Sequence, residues 1–345
     1  MKLDRAIYEP SPWAVRYHQA VADEVLGGGA AGPGKSLTLL FDPIVSQAVI
    51  EHARMVGKAP EGYPEWVQEL CVKHPIRPGE SEGHALHLRR SMPQLLETID
   101  RALRMFPKFD PVLGTSYGYS KEQHRFTCQS GYKVTFGHCR ESNSHEDYLS
   151  KQYTHLGLDE VYQFEERQFE ELDGRVRSAD PVLKHFLRTR LMSNPAPGWL
   201  KDRFVTPHKE GNAILRYKVV DPESGEVHHK TRLFLPAKLD DNPDKAFVRQ
   251  YKIKLLSKPA HMRNRYLYGD WDSMEDGYFE DSFNPAVHVI EPFKIPRDWP
   301  KFRSMDWGFK APGTMFYYAM DPDENLYKFY EFNFRLMKDE ECANR

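Results

Sequence analysis

Apolar positions recur along this chain in two patterns, one typical of helices and one of strands. A stripe at helical spacing near the start predicts a helix, and its members are Trp13, Tyr17, Ala20 and Val21. A second helix is predicted over 92–106. Short apolar stretches predict strands at 24–26, 84–88, 124–128, 132–136, 153–158 and 191–193. Strands that alternate with helices in this way indicate an α/β fold with a largely parallel sheet.

The second half of the chain has a different pattern. A β-hairpin is predicted over 214–235, and three further strands at 302–308, 314–319 and 326–332. These three strands suggest the opening of a second α/β domain. The expected organisation is therefore a core over 1–240, a helical segment over 241–272, a linker over 273–300 and a second domain from 301 to 345.

Proline and glycine indicate where elements end. Pro43 stands inside the helix expected after residue 35, and it predicts a kink or break near Phe41 or Asp42. The stretch 57–83 is rich in proline, glycine and charge, which predicts a long loop. Asn242-Pro243 predicts a helix start, with asparagine as N-cap and proline in the first turn.

Composition narrows the class of protein. The 345 residues are 40% hydrophobic and 28% charged, with a net charge of -2. These values are typical of a globular protein, and any nucleic-acid contact must come from local patches. The sequence has no apolar run long enough to span a membrane and no signal-peptide pattern, so no membrane association is expected. Four cysteines without a C-x-x-C pair indicate a reducing, cytoplasmic setting.

The run from Gly29 to Ser36 reads GAAGPGKS and matches G-x-x-x-x-G-K-[ST] in full. Backbone amides in this loop approach phosphate oxygens, Lys35 reaches the β- and γ-phosphates of ATP, and Ser36 ligates Mg²⁺. The nucleotide-binding residues are predicted as Gly29, Gly32, Gly34, Lys35, Ser36 and Leu37, the last at a helix N-terminus. The alternative is a glycine-rich turn with an incidental lysine.

Two strand ends add candidate chemistry. The apolar strand 153–158 ends in Asp159-Glu160, which fits a Walker B motif. Asp159 would hold Mg²⁺ through water, and Glu160 would polarise the attacking water. The strand 191–193 ends in Ser193-Asn194, and both residues are predicted to sense the γ-phosphate. The alternatives are a surface turn and an Asn-Pro strand break. A zinc cluster could be built only from residues whose spacing fits no standard site, namely His124, Cys128, His138 and Cys139.

Several motifs, taken in order, resemble those of the large terminase subunit of tailed double-stranded-DNA bacteriophages, the ATP-driven motor of DNA packaging. They are the glycine loop at 28–36, LDEVYQF at 158–164, RVRS at 175–178, SNP at 193–195, LPAKLDDNP at 235–243, GDW at 269–271 and MDWG at 305–308. Each motif is loose alone, and their order and spacing together are specific.

This resemblance implies an ASCE-type P-loop ATPase over 1–240, a helical lid over 241–272 and a linker over 273–300. It implies the first strands of an RNase H-like nuclease over 301–345, with Asp306 as the first carboxylate for Mg²⁺ or Mn²⁺. The later acidic residues of the family fall beyond residue 345, so the nuclease is expected to be truncated here and DNA cleavage is not expected.

The partners implied by the resemblance are double-stranded DNA, the portal protein and procapsid, the small terminase subunit and further copies of the chain in a ring. The implied location is the cytoplasm of the infected host, transiently at the portal vertex. Two alternative functions remain: another P-loop nucleic-acid motor such as a helicase, and a nucleotide-binding assembly protein without turnover. Glu160 argues against the assembly protein, because a protein that only binds nucleotide does not need a carboxylate that activates water.

The chain departs from the family at Ala30 and Ala31, where many members carry a basic residue. The missing charge could be supplied in trans as an arginine finger. Arg140 is the first candidate, ahead of Arg175 and Arg177. The alternative is that these arginines bind DNA phosphates or surface carboxylates. Gln19 is predicted to contact the adenine edge, as a glutamine does in related motors.

Overall fold

The computed structural model describes residues 8–58, 60, 62–109, 118–208, 211–273, 285–308, 313–337 and 340–341. The chain forms two compact units, Met1–Gly277 and Tyr278–Arg345. Parts of the predicted linker and of the predicted second domain, including 274–284, lie outside the described residues.

A nine-stranded sheet forms the centre of the first unit, in the order β3-β4-β5-β2-β6-β7-β1-β9-β8. Its strands are β1 (Glu24–Gly29), β2 (His84–Arg89), β3 (Gly118–Ser120), β4 (Arg125–Thr127), β5 (Lys133–His138), β6 (His155–Leu158), β7 (Arg188–Ser193), β8 (Ile214–Val220) and β9 (Val227–Ala237). The strands from β5 to β9 in this order pair in parallel, and antiparallel strands flank them. The predicted α/β fold with a largely parallel sheet is confirmed.

Helices cover the sheet. They are α1 (Pro12–Gln19), α2 (Lys35–Pro43), α3 (Val49–Val56), α4 (Glu65–Lys73), α5 (Met92–Met105), α6 (Glu166–Asp173), α7 (Lys245–Leu256) and α8 (Ala260–Arg263). Buried Trp13 and Tyr17 of α1 pack with residues of β1, β7 and β9. The inner face of α5 packs Leu95, Ile99 and Ala102 against α2 and the sheet. Among the described residues, no helix is both long and apolar enough to cross a membrane.

Pro43 does not break its helix, contrary to the sequence prediction. A π-helical segment, Ile44–Ala48, follows directly and joins α2 to α3. A π-turn shifts the hydrogen-bond register, which accommodates the donor that proline lacks. Ser46 Oγ also donates to the carbonyl of Asp42 at 2.6 Å. The chain therefore stays helical from Lys35 to Val56.

Two other boundaries differ from the sequence predictions. The expected loop 57–83 contains α4. Helix α7 begins at Lys245, because Asp244 rather than Asn242 caps it by accepting hydrogen bonds from Ala246 and Phe247. Trp271, in the predicted helical segment 241–272, is buried against Phe234.

The second unit contains α9 (Pro285–His288) and a three-stranded antiparallel sheet. Its strands are β10 (Lys301–Asp306), β11 (Gly313–Met320) and β12 (Leu326–Phe334), in that order across the sheet. Asp306, the predicted nuclease carboxylate, is the exposed last residue of β10 and pairs with Thr314.

The buried His87 of β2 should make the first unit less stable in acid. Burial lowers the pKa of His87 from 6.5 to about 4. Between these values the unfolded chain binds a proton that the folded chain does not, so stability falls as the pH drops below 6.5. We expect a loss of about 2 kcal/mol from this residue between pH 6.5 and 5.

Urea unfolding of the wild type and of His87→Leu at pH 7 and pH 5 measures this contribution. The variant should lose that part of the pH dependence, because leucine has nothing to titrate. His228→Gln, at an exposed position of β9, is the matched control and should unfold with the wild-type pH dependence. An unchanged pH dependence in His87→Leu would show that the buried imidazole is not responsible.

Candidate functional site: a phosphate loop at the carboxyl edge of the sheet

The predicted motifs meet at one edge of the central sheet. Strands β1, β7 and β6 are parallel neighbours, so their carboxyl ends lie side by side. The glycine loop follows β1, Asn194 follows β7, and Asp159-Glu160 follows β6. Ligands of open α/β sheets bind at such carboxyl edges.

Backbone geometry explains two of the glycines in the loop. Gly29 has φ +138°, and a Cβ there would collide with the carbonyl oxygen of Ala237. Gly34 caps α2 in the left-handed region with φ +93°, and the space a Cβ would occupy is open. The loop is therefore held tightly on its β9 side and leaves room where α2 begins. This is the arrangement that lets helix amides approach a phosphate group.

Lys35 lies inside the loop and is 9% exposed. Its Nζ donates to the carbonyls of Gly29 at 3.1 Å and Ala30 at 2.5 Å, and to Asn194 Oδ1 at 2.9 Å. Burial lowers the pKa of Lys35 to about 8, although Glu160 and Asp159 oppose the shift. Lys35 therefore links the phosphate loop to the end of β7. Ser193, beside Asn194, is buried, and its Oγ donates to the carbonyl of Asn194 at 2.6 Å.

Asp159 joins the loop to β6. Ser36 Oγ donates to Asp159 Oδ1 at 3.2 Å, and the amide of Glu160 donates to the same oxygen at 3.1 Å. Glu160 has φ +54°, a strained conformation for a residue other than glycine, and such strain clusters at functional sites. Burial and the neighbouring Asp159 raise the pKa of Glu160, while Lys35, Arg89 and Arg265 lower it.

Arg89 is part of the same cluster and was not predicted from the sequence. It ends β2, the strand next to β6. Its Nε donates to Asp159 Oδ2 at 2.8 Å, and its Nη2 lies 2.6 Å from the same oxygen. Nη2 also donates to Ser36 Oγ at 3.4 Å. The sequence offered one indication of this role: Arg89 directly follows the predicted strand 84–88, and the carboxyl ends of parallel neighbouring strands lie at the same edge of a sheet.

The segment after β9 folds over the phosphate loop. Asn242 Nδ2 donates to the carbonyl of Gly32 at 2.6 Å, and the amide of Ala31 donates to the carbonyl of Tyr266 at 2.7 Å. Leu239 and Tyr251 lie against Gly32. Residues from the predicted lid, 241–272, thus touch two consecutive positions of the loop, Ala31 and Gly32.

The predicted arginines lie at different edges of the sheet. Arg140 follows β5 on the carboxyl edge; its side chain is 75% exposed, with Nε 3.6 Å from Glu141. By contrast, the backbones of Arg175 and Arg177 pair with Tyr153, just before β6 begins. These two arginines therefore lie at the amino edge, away from the phosphate loop.

Gln19 also lies at the amino edge. It is exposed at the end of α1, and the carbonyls on either side of it, of His18 and Ala20, accept hydrogen bonds from Arg188 and Arg190 at the start of β7. Trp13, near the start of α1, is the part of this helix that contacts β1 near the loop. The predicted contact of Gln19 with the adenine edge stays a prediction.

The donor set fits Mg²⁺ bound with a nucleotide. Mg²⁺ in such sites uses one or two protein oxygens, with phosphates and waters completing the shell. Ser36 Oγ and the Asp159 carboxylate are adjacent and supply that pair. Among the described residues no three His, Cys, Asp or Glu side chains group as a metal site, so the alternative zinc cluster does not form. Cys128 and Cys139 are buried free thiols.

No protein-family model matches this chain, and no curated protein matches it in sequence. Three similar solved structures come from the large terminase of a thermophilic bacteriophage. The first is 16% identical, with a TM-score of 0.53, and the match covers 98% of this chain and 73% of that one. The second, a complex with ATP-gamma-S, is 15% identical, with a TM-score of 0.50, and the match covers 97% of this chain and 72% of that one. The third, a complex with ADP, is 17% identical with a TM-score of 0.50 and the same coverage.

At these identities the similarity concerns the fold. The similarity applies to the nine-stranded, largely parallel sheet and the glycine loop that follows β1. The resemblance suggested by the ordered motifs is confirmed at that level. This chain has the fold of bacteriophage large terminases.

Proposed function

We propose that this protein is the ATPase of a viral DNA-packaging motor, which hydrolyses ATP to move double-stranded DNA into a procapsid. One observation carries the proposal: residues far apart in sequence form a hydrogen-bonded chain at one sheet edge. Asn194 binds Lys35, and Ser36 binds Asp159, which also accepts from the amide of Glu160. These residues carry the groups that ATP hydrolysis uses, and they lie at one edge of the sheet.

Each residue has one role in the proposed reaction. Lys35 and the amides at the start of α2 hold the phosphates, and Ser36 with Asp159 holds Mg²⁺. The metal, when bound, neutralises charge on the phosphate oxygens. Glu160 orients the attacking water and accepts its proton, a role favoured by its raised pKa. Asn194, bound to Lys35, reports the state of the γ-phosphate to β7.

Arg140 is proposed as the finger that acts on a neighbouring subunit. Its exposed side chain on the carboxyl edge supports this role, whereas Arg175 and Arg177 lie at the other edge. The working assembly is then a ring of several copies, with the portal protein, the procapsid and the small terminase subunit as further partners. Its setting is the host cytoplasm and, during packaging, the portal vertex.

The second unit is proposed as the first strands of an RNase H-like nuclease, with Asp306 as a metal carboxylate at the end of β10. Two-metal cleavage needs several carboxylates around two ions. Asp306 would supply one of these carboxylates.

ATP turnover measured against protein concentration, with and without double-stranded DNA, tests the proposal. The specific activity should rise at least about tenfold as subunits associate, because a finger in trans contributes much of the rate. Double-stranded DNA should raise it further. Binding of ATP without turnover at any concentration would identify an assembly protein instead. Stimulation by single strands together with duplex unwinding would identify a helicase.

A further inference from the structure

The guanidinium of Arg89 contacts both residues that would hold the metal. It lies 2.6 to 2.8 Å from Asp159 Oδ2 through two nitrogens and 3.4 Å from Ser36 Oγ through Nη2. The side chain of Asp159 is 3% exposed and that of Arg89 is 12% exposed, so water screens this ion pair weakly. Arg89 is therefore the cation in direct contact with the Asp159 carboxylate.

A divalent cation held by the Asp159 carboxylate would lie close to this guanidinium. Oδ2 of Asp159 accepts two short contacts from Arg89, and a Mg²⁺ ion held by the same carboxylate would face a positive charge at close range. We propose that Arg89 is an exchangeable counter-ion: it neutralises Asp159 in the nucleotide-free protein, and Mg²⁺ arriving with ATP displaces it. This inference rests on the proposed ATP site.

The surroundings of Arg89 give the displaced side chain somewhere to go. A pocket of about 80 Å³ adjoins it, lined by Ser36, Leu40, Arg89, Glu97, Thr98 and Arg101. Glu97, on α5, has its carboxylate at that pocket, where Arg101 Nη2 donates to it at 3.3 Å. The Nη1 of Arg89 already donates to the carbonyl of Gln94, in the first turn of α5, at 3.1 Å. Exchange at Asp159 would therefore change the contacts between the end of β2 and α5.

The adjacent arginine shows what a purely structural role looks like. Arg90 donates from Nη1 to the carbonyl of Cys139 at 2.9 Å, and it contacts neither Asp159 nor Ser36. Arg89 instead binds a carboxylate that has a second proposed role. It also brings a positive charge to the site from within the same subunit, whereas the loop itself has Ala30 and Ala31.

The test measures how much Mg²⁺ strengthens ATP binding, using ATP-gamma-S titrations in EDTA and in excess Mg²⁺. In the wild type, Mg²⁺ must displace Arg89, which reduces its benefit. In Arg89→Gln this cost is absent. The dissociation constant in EDTA divided by that in excess Mg²⁺ should therefore rise about tenfold, the scale of one lost charge-assisted contact. Arg90→Gln is the matched control and should keep the wild-type ratio.

Arg89→Met retains the aliphatic stem and serves as the second variant if Arg89→Gln folds poorly by circular dichroism. Arg89→Lys, which keeps the charge on a different head group, should give a ratio between those of the wild type and Arg89→Gln. An unchanged ratio in folded Arg89→Gln or Arg89→Met, with ATP still bound, would overturn the exchange and leave the proposed function standing. A wild type that binds no ATP-gamma-S in either buffer would overturn both.

Discussion

Lys35→Ala should abolish ATP turnover, with a loss of at least about 10³-fold, because the main phosphate-facing cation disappears from the site. ATP affinity should fall about tenfold or more, as expected for lost hydrogen bonds to a charged group. In the structure, Lys35 also holds the loop through two of its carbonyls and reaches Asn194. The substitution therefore removes both a charge and a set of loop contacts.

Two further variants separate these effects. Asn194→Ala removes one partner of Lys35 and leaves the cation, so its loss of turnover should be smaller. Lys73→Ala, at an exposed position in the last turn of α4, controls for the loss of a lysine elsewhere. Steady-state turnover, nucleotide titration and circular dichroism are the measurements. Near-wild-type turnover in a folded Lys35→Ala protein would remove the phosphate-loop assignment.

The parts of the site that follow from sequence are those encoded in contiguous residues. The glycine loop is one run from Gly29 to Ser36, and Asp159-Glu160 ends one apolar strand, so local spacing carries their chemistry. The order of strands and helices likewise predicts a parallel sheet, since each unit has its own hydrophobic pattern. In each case the interactions that determine the local structure lie within one helix or strand and the turn next to it.

Arg89 could not be assigned in that way. Its role depends on β2 lying next to β6, and this pairing joins residues about 70 positions apart in sequence. The same limit applies to Gln19 and Arg177. Glutamine and arginine are residue types that suit the predicted roles. The edge of the sheet at which they lie depends on the direction of α1 and on the connection from β6 to β7.

Local rules failed at two places for physical reasons. Pro43 is a helix breaker by propensity, yet a π-helical turn and the hydroxyl of Ser46 accommodate it. At the start of α7, Asn242 instead donates its side chain to the carbonyl of Gly32, and Asp244 takes the capping role. The residue expected to start a helix is used to hold the phosphate loop.

Arg140→Ala and Glu160→Gln should each be inactive alone and regain activity when mixed. Arg140→Ala should bind ATP normally and hydrolyse it about 10³-fold or more slowly at every concentration, since the finger is lost. Glu160→Gln keeps the shape of the side chain but cannot accept the proton of water, so turnover should fall about 10²-fold or more while binding persists. The reason for expecting a finger is the pair Ala30 and Ala31 in the loop.

In a mixture, an Arg140→Ala subunit retains Glu160, and its Glu160→Gln neighbour can donate Arg140 across the interface. Partial recovery of turnover in equimolar mixtures therefore indicates action in trans, and its absence, with both variants binding ATP and assembling, indicates action within one subunit. Arg177→Ala, at the amino edge of the sheet, is the matched control and should be active alone. Full activity of Arg140→Ala by itself would exclude this arginine, because the charge that stabilises the transferring phosphoryl group must then come from a residue that the variant still has.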